Sequence, residues 1–216
     1  MTKLQRSTRF LIVLAAALPS AAAAQRLGVS VGYTRIPGRI GGFESNEGIA
    51  ARVGFEFNPR SIARFGFEAG WERLNESRRL SQTVCIHPAG GTATCNTDSR
   101  QRDTGLSLAA ILRAGPNGGT VRPYGLLGLE AMQVRTHDRD MTTDSTGAHL
   151  RNFEIDGVHT EGAFGVPLGA GVLFRSAGSP FAIQAEARLT PLIHNYSGGL
   201  MLDWSPSLTV GVRLGM

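Results

Sequence analysis

From residue 25 onward, the sequence alternates apolar and small or polar residues with a period of two, segment after segment. That period is the signature of β-strands with two unlike faces. Leu27, Val29, Val31 and Tyr33 oppose Gly28, Ser30, Gly32 and Thr34. Ile49, Ala51, Val53, Phe55 and Phe57 follow the same rule, as do Phe65, Phe67, Ala69 and Trp71, and then Leu106, Leu108, Ala110 and Leu112, where Ile111 breaks the alternation. The second half repeats it at Pro123–Ala131, Phe164–Phe174, Phe181–Leu189 and Leu208–Leu214. Eight strands are expected, an even number. Glycines scattered through these runs disfavour long helices.

Alternation alone does not say which face points inward; the connections do. Asn58-Pro59-Arg60-Ser61, Gly115-Pro116-Asn117-Gly118-Gly119 and Ser176-Ala177-Gly178-Ser179-Pro180 read as tight turns after the second, fourth and sixth strands. After the first, third, fifth and seventh come longer polar loops, expected at about 36–46, 80–103, 138–160 and 195–205. Strict short–long alternation gathers every long loop at one end, as in membrane barrels with short periplasmic turns. Phe55, Phe57, Phe65, Phe174 and Phe181 lie beside the short turns, and Tyr33, Trp71, Tyr196 and Trp204 toward the long loops. These are two aromatic girdles around an apolar band.

The first 24 residues read as an export signal. Lys3, Arg6 and Arg9 form a positive start, Phe10–Leu18 is apolar but too short to span a bilayer as a helix, and Ala22-Ala23-Ala24 before Gln25 suits cleavage. Removing those three cations from 22 basic residues leaves 19, all arginine, against 17 carboxylates. So balanced a chain is not expected to bind nucleic acid. No later apolar run is long enough for a spanning helix, so any crossing must be made by strands. Cys85 and Cys95, an isolated pair in an exported chain, are expected to form a disulfide.

The signal, the strand count, the alternating loops and the closing strand Ser207-Leu208-Thr209-Val210-Gly211-Val212-Arg213-Leu214-Gly215-Met216 resemble the small eight-stranded outer-membrane β-barrel family, the OmpA/OmpX-type barrels. The resemblance covers residues 25–216, and it departs from the family at the last residue, where Met216 replaces the usual aromatic. It implies an all-β, eight-stranded antiparallel up-and-down transmembrane barrel in the bacterial outer membrane, handled by the outer-membrane assembly machinery.

On this parity the lumen receives Arg52, Glu56, Arg64, Glu68, Glu72, Arg113, Arg122, Glu130, Arg175, Glu186, Arg188 and Arg213. Charges facing hydrocarbon are costly, and eight strands leave a bore that side chains can fill. A hydrogen-bonded plug is therefore expected, with an ion pathway as the alternative. Arg35, Arg39, Arg78, Arg79, Arg135 and Arg139 are expected at the extracellular rim, where guanidinium groups can pair with lipopolysaccharide phosphates, with a solvated rim that binds no specific lipid as the alternative.

A catalytic reading rests on His194, Ser197 and Asp203. Lipid-A-deacylating barrels carry His-x-Ser, a spacing that puts both side chains on one face. The spacing of three here turns them apart on a regular strand. His137, Asp138, Asp140, Asp144, His149, Asp156 and His159 lie within or beside the third long loop without a ligand spacing, so neither a metal nor a cofactor is expected. The sequence thus predicts a monomeric, non-enzymatic barrel that contacts membrane lipid and displays loops to the envelope or to an external partner. A lipid-A-modifying enzyme and a narrow channel are the alternatives.

Overall fold

The computed structural model describes residues 25–36, 46–58, 60–86, 92–144, 150, 155–196 and 199–214. The signal at 1–24, together with Arg39, His149, Ser197 and Met216, lies outside the described residues. No helix among the described residues is long and apolar enough to cross a membrane.

The described chain forms ten β-segments: β1 (Gln25–Ile36), β2 (Asn46–Phe57), β3 (Ala63–Leu74), β4 (Ser77–Ile86), β5 (Thr92–Ala114), β6 (Val121–Thr143), β7 (Ile155–Gly165), β8 (Leu168–Phe174), β9 (Phe181–Tyr196) and β10 (Gly199–Leu214). They occupy eight strand positions. β7 and β8 keep one register against both β6 and β9, so they are one strand, interrupted at Val166-Pro167. Proline has no N–H to give the ladder, and the β6 side recovers a bond there, from Gly128 N–H to the Pro167 carbonyl (2.9 Å). β3 and β4 both pair with β5, but the partner register slips by one residue at Asn75-Glu76, as in a β-bulge. Every pairing is antiparallel, and β10 closes on β1, with Leu27 opposite Leu214 and Thr34 opposite Ser207. The result is the expected eight-stranded up-and-down barrel.

The burial pattern is inverted relative to a soluble protein. Leu129 and Phe164 are 69% and 71% exposed on the outer wall, whereas Arg64 inside is 0% exposed. The lumen is less uniformly polar than expected. Ile111, the residue that broke the alternation, packs inside with Ala109, Tyr124, Leu126 and Leu173. A second apolar layer, Leu74, Met132, Val134, Ala163 and Leu192, sits nearer the long-loop end.

The loops are the main correction. The region 138–160 is strand at both ends, because β6 runs to Thr143 and β7 begins at Ile155. Residues expected in the loop at 80–103 belong mostly to β4 and β5, and β9 and β10 extend to Tyr196 and from Gly199. β5 and β6 are 23 residues each, about twice the 9–11 that a tilted strand needs to cross a bilayer. Above the barrel, β4, β5, β6 and β7 therefore continue as a four-stranded sheet. Its polar, Thr- and Arg-rich sequence looked like loop because neither face is apolar, which removes the periodic signal. At the other end the tight turns are as expected: Ser61 N–H bonds to the Asn58 carbonyl (2.9 Å), and Asn58 adopts φ 50°.

Candidate functional site: a filled lumen beneath a projecting sheet

Antiparallel register sets which lumenal charges meet. Glu68 on β3, Arg113 on β5 and Glu186 and Arg188 on β9 project into the middle of the bore. Glu68 accepts from the guanidinium groups of Arg113 and Arg188. Glu186 Oε2 accepts from Arg113 Nε (3.1 Å), Tyr124 Oη (2.8 Å) and Gln184 Nε2 (2.8 Å), while its other oxygen takes Arg188. Arg64 and Arg113 each stand 5.7 Å from the Tyr124 ring centre, as cation–π pairs do. Tyr124 packs against Gly171, where a Cβ would collide with its hydroxyl.

Above this tetrad, Arg52 donates to Glu72 (3.3 Å) and to Ser207 Oγ (3.1 Å), and Thr34 donates to Glu72 (3.3 Å). Below it, Arg213 donates to Glu56 (2.7 Å). Of the twelve residues expected in the lumen, ten are buried. Arg122 and Arg175 are half-buried at the short-turn end, where they donate to the carbonyls of Gly119 and Ser179 (both 2.9 Å). Sequence reading missed Arg26, 7% exposed on the same inner face, because it lies at the very start of β1. It missed Tyr124 and Gln184 as network members because neutral polar groups carry no charge signal.

His194 and Asp203 do meet, at 2.8 Å (Nε2 to Oδ2), inside the bore and not on the lipid-facing wall. The other ring nitrogen of His194 is buried without a hydrogen-bond partner among the described residues. Of the residues in and around the third loop, His137 pairs with Asp156 (2.8 Å) and His159 with Asp138 (3.7 Å) across β6 and β7. Among the described residues no three His, Cys, Asp or Glu side chains converge into a metal-ligand set. Cys85 and Cys95 are bonded to each other, with Cα atoms 5.9 Å apart, and are buried under Leu150.

The expected rim arginines separate by strand parity. Arg78 and Arg139 are exposed on the outward face of the sheet, where Arg100 lies directly between them in register. One row nearer the barrel is Arg102. Below it come Arg73, Thr104, Arg135 and Thr160, side by side. Arg79 is exposed on the opposite face of β4, away from this group, and Arg35 stands apart on β1. Arg73, Arg100 and Arg102 were not anticipated, since only the register aligns them with the others. Carboxylates offset part of the charge: Arg78 and Arg100 bond Asp98 (2.8 and 3.0 Å), and Arg102 bonds Glu76 (2.8 Å). The Arg78 guanidinium holds the Asp98 carboxyl below its ordinary pKa.

An apolar outer wall, a closed eight-position ring and a lumen occupied by paired charges define a bacterial outer-membrane barrel with a filled bore. The family model "Outer membrane protein beta-barrel domain" matches residues 9–214, and the chain belongs to that family. No curated protein matches it in sequence. Among solved structures, it is similar to a major outer membrane protein from Thermus thermophilus, at 12% identity and TM-score 0.51, covering 88% of this chain and 99% of that one. It is also similar to Neisserial surface protein A, at 17% identity and TM-score 0.46, covering 91% and 100%. A third is the N-terminal β-barrel domain of Pseudomonas aeruginosa OprF, at 12% identity and TM-score 0.44, covering 89% and 98%. At these identities the likeness is one of fold.

Proposed function

We propose that the protein is a non-enzymatic outer-membrane anchor whose barrel carries a rigid extracellular sheet to the cell surface, for contact with the envelope or an external partner. The observation that supports this reading is the height of β5 and β6, whose upper halves pair only with β4, with each other and with β7. A chain needing only to seal a barrel would not extend strands so far beyond the bilayer. The filled bore supports a structural role over conduction, since open aqueous channels come with about sixteen strands. Planar-bilayer recording tests the latter: the unmutated protein should show no stable openings, and nanosiemens steps would restore the channel reading. Cysteine-reactive labelling of Leu80→Cys or Val84→Cys on intact cells tests display. Both side chains are exposed on β4, and absence of labelling would refute it. Hydrolysis of lipid A by the purified barrel in vesicles would reinstate the enzyme.

For the membrane partner, the observation is the row Arg73–Thr104–Arg135–Thr160, two residues up each strand from the apolar Trp71 and Leu106. This height above the apolar band suits contact with the phosphates of outer-leaflet lipopolysaccharide, and Arg73 and Arg135 have no ion pair among the described residues. Replacing both with Gln should weaken lipopolysaccharide retention in a salt-dependent way. Unchanged retention would remove this partner.

A further inference from the structure

The lumenal charge is not evenly matched along the bore. In the middle, Arg52, Arg113 and Arg188 face Glu68, Glu72, Glu130 and Glu186, one carboxylate in excess. At the short-turn end, Arg26, Arg64 and Arg213 lie about one acid, Glu56, while Arg122 and Arg175 line a cavity with Arg26 and Arg213; Arg213 also donates to Gln184 and reaches within 3.9 Å of Glu68. Glu56 Oε2 is taken by Arg213. Arg64 comes within 3.5 Å of the other oxygen, but none of its three guanidinium nitrogens has a hydrogen-bond partner among the described residues. Arg26, more than nine-tenths buried, has no hydrogen bond or ion pair at all there. Its cross-strand neighbour is Glu56, already committed to Arg213.

Burying a guanidinium without a counter-charge is strongly unfavourable, and placing several together adds repulsion. Such a cluster persists when something negative joins it. The geometry offers the place: Arg26, Arg122, Arg175 and Arg213, with Leu173 and Pro180, line a cavity of about 10 Å³, room for one water-sized atom. Arg122 and Arg175 are half-buried, so the cavity opens toward the turns.

We propose that the short-turn mouth of the barrel is a binding site for a small free oxyanion of the phosphate type. One oxygen enters the cavity between Arg26 and Arg213, and the others are held by Arg122 and Arg175 at the mouth. Guanidinium groups suit this ligand because their planar donor fork grips two oxygens of one anion. The occupant completes the plug at its periplasmic end and balances charge that the chain leaves unbalanced. This site is independent of the lipopolysaccharide contact on the outer face.

The test uses the full mature chain refolded in detergent without phosphate. Its urea midpoint is followed as inorganic phosphate is added, against chloride at equal ionic strength. The expected result is a saturable rise with phosphate in the millimolar range, at least twofold larger than with chloride. Arg26→Gln should weaken the phosphate response about tenfold or more, yet leave phosphate-free stability unchanged or raised, because it relieves repulsion. Arg175→Gln, at the more exposed mouth, should do the same if the first variant fails to fold. A midpoint indifferent to phosphate overturns the site. An equal response to chloride overturns the oxyanion assignment. Loss of stability by the Gln variants to the same extent with and without phosphate shows arginines with a purely structural role, and overturns the proposal.

Discussion

Glu68 is the residue on which the mid-lumen network turns, and Glu68→Ala shows what that network contributes. Its carboxylate is 9% exposed, bonds both Arg113 and Arg188 and lies 3.9 Å from Arg213. Without it, Arg113 and Arg188 must share Glu186 alone, which leaves one buried guanidinium uncompensated in a space that water enters poorly. Each close pair is worth about 4 kcal/mol of attraction at 4 Å in an effective dielectric near 20, and the desolvation cost of Glu68 itself is recovered on its removal. Breaking a buried pair from one side costs about 3–5 kcal/mol, and that is the expected loss of unfolding free energy. The assay is urea unfolding in micelles, read by the gel-mobility difference between folded and unfolded barrel. Replacing Glu68 and Arg188 together by Met should recover much of the loss, because Arg113 and Glu186 remain as a balanced pair. The cycle completed with the single variants Glu68→Met and Arg188→Met should therefore give a coupling energy above about 1 kcal/mol. A loss below about 1 kcal/mol for Glu68→Ala, or strict additivity in the double variant, would refute the view that these charges act as one interlocked plug.

Leu127→Arg should block insertion, since the side chain is exposed on the outer wall in the membrane band and arginine there costs about 2–4 kcal/mol. Thr143→Arg at the tip of β6 should fold in bilayers with normal yield, and equal yields would mean the parity is wrong. Gly171→Ala should cost about 1–3 kcal/mol, because the new methyl would collide with Tyr124 Oη and meet the Ala185 carbonyl at 2.8 Å; unchanged tyrosine fluorescence and stability would argue against that contact. The depressed pKa of Asp98 gives a sign for acid sensitivity. With the folded value below the unfolded one, the β4–β5 contact is fully present above the ordinary carboxylate pKa and is lost as pH falls through the folded value. Protease nicking of β4 should rise in that acid range, and Asp98→Asn should remove the pH dependence of nicking.

The barrel was legible in the sequence and the projecting sheet was not, for one physical reason. Within the bilayer one strand face meets hydrocarbon and the other meets a crowded bore, so residues such as Leu127 and Leu126 or Phe67 and Glu68 fall in places of opposite character. Parity can then be read residue by residue. Ile111 and Leu173, apolar on the inward face, are the informative exceptions to the alternation: an apolar side chain is permitted on either face of such a wall, whereas Arg64 or Glu186 is permitted on one only. Charges therefore carry the assignment, and apolar residues confirm it only in bulk. Above the membrane the outward face of β4, β5, β6 and β7 meets water and the inner face is covered, but largely with polar residues such as Gln101, Asp103, Thr136 and Thr142, so the sequence there is polar on both sides and no hydrophobic period survives. Alignment across strands is harder still to read. Arg78, Arg100 and Arg139 are about twenty to forty positions apart in sequence and become a row only through a register set by the barrel below. The crowding of five arginines at the short-turn end arises in the same way. A count of lumenal charges along the sequence averages over the bore, but the strands deliver them to different heights, and it is height that decides which charges find partners and which are left for a ligand.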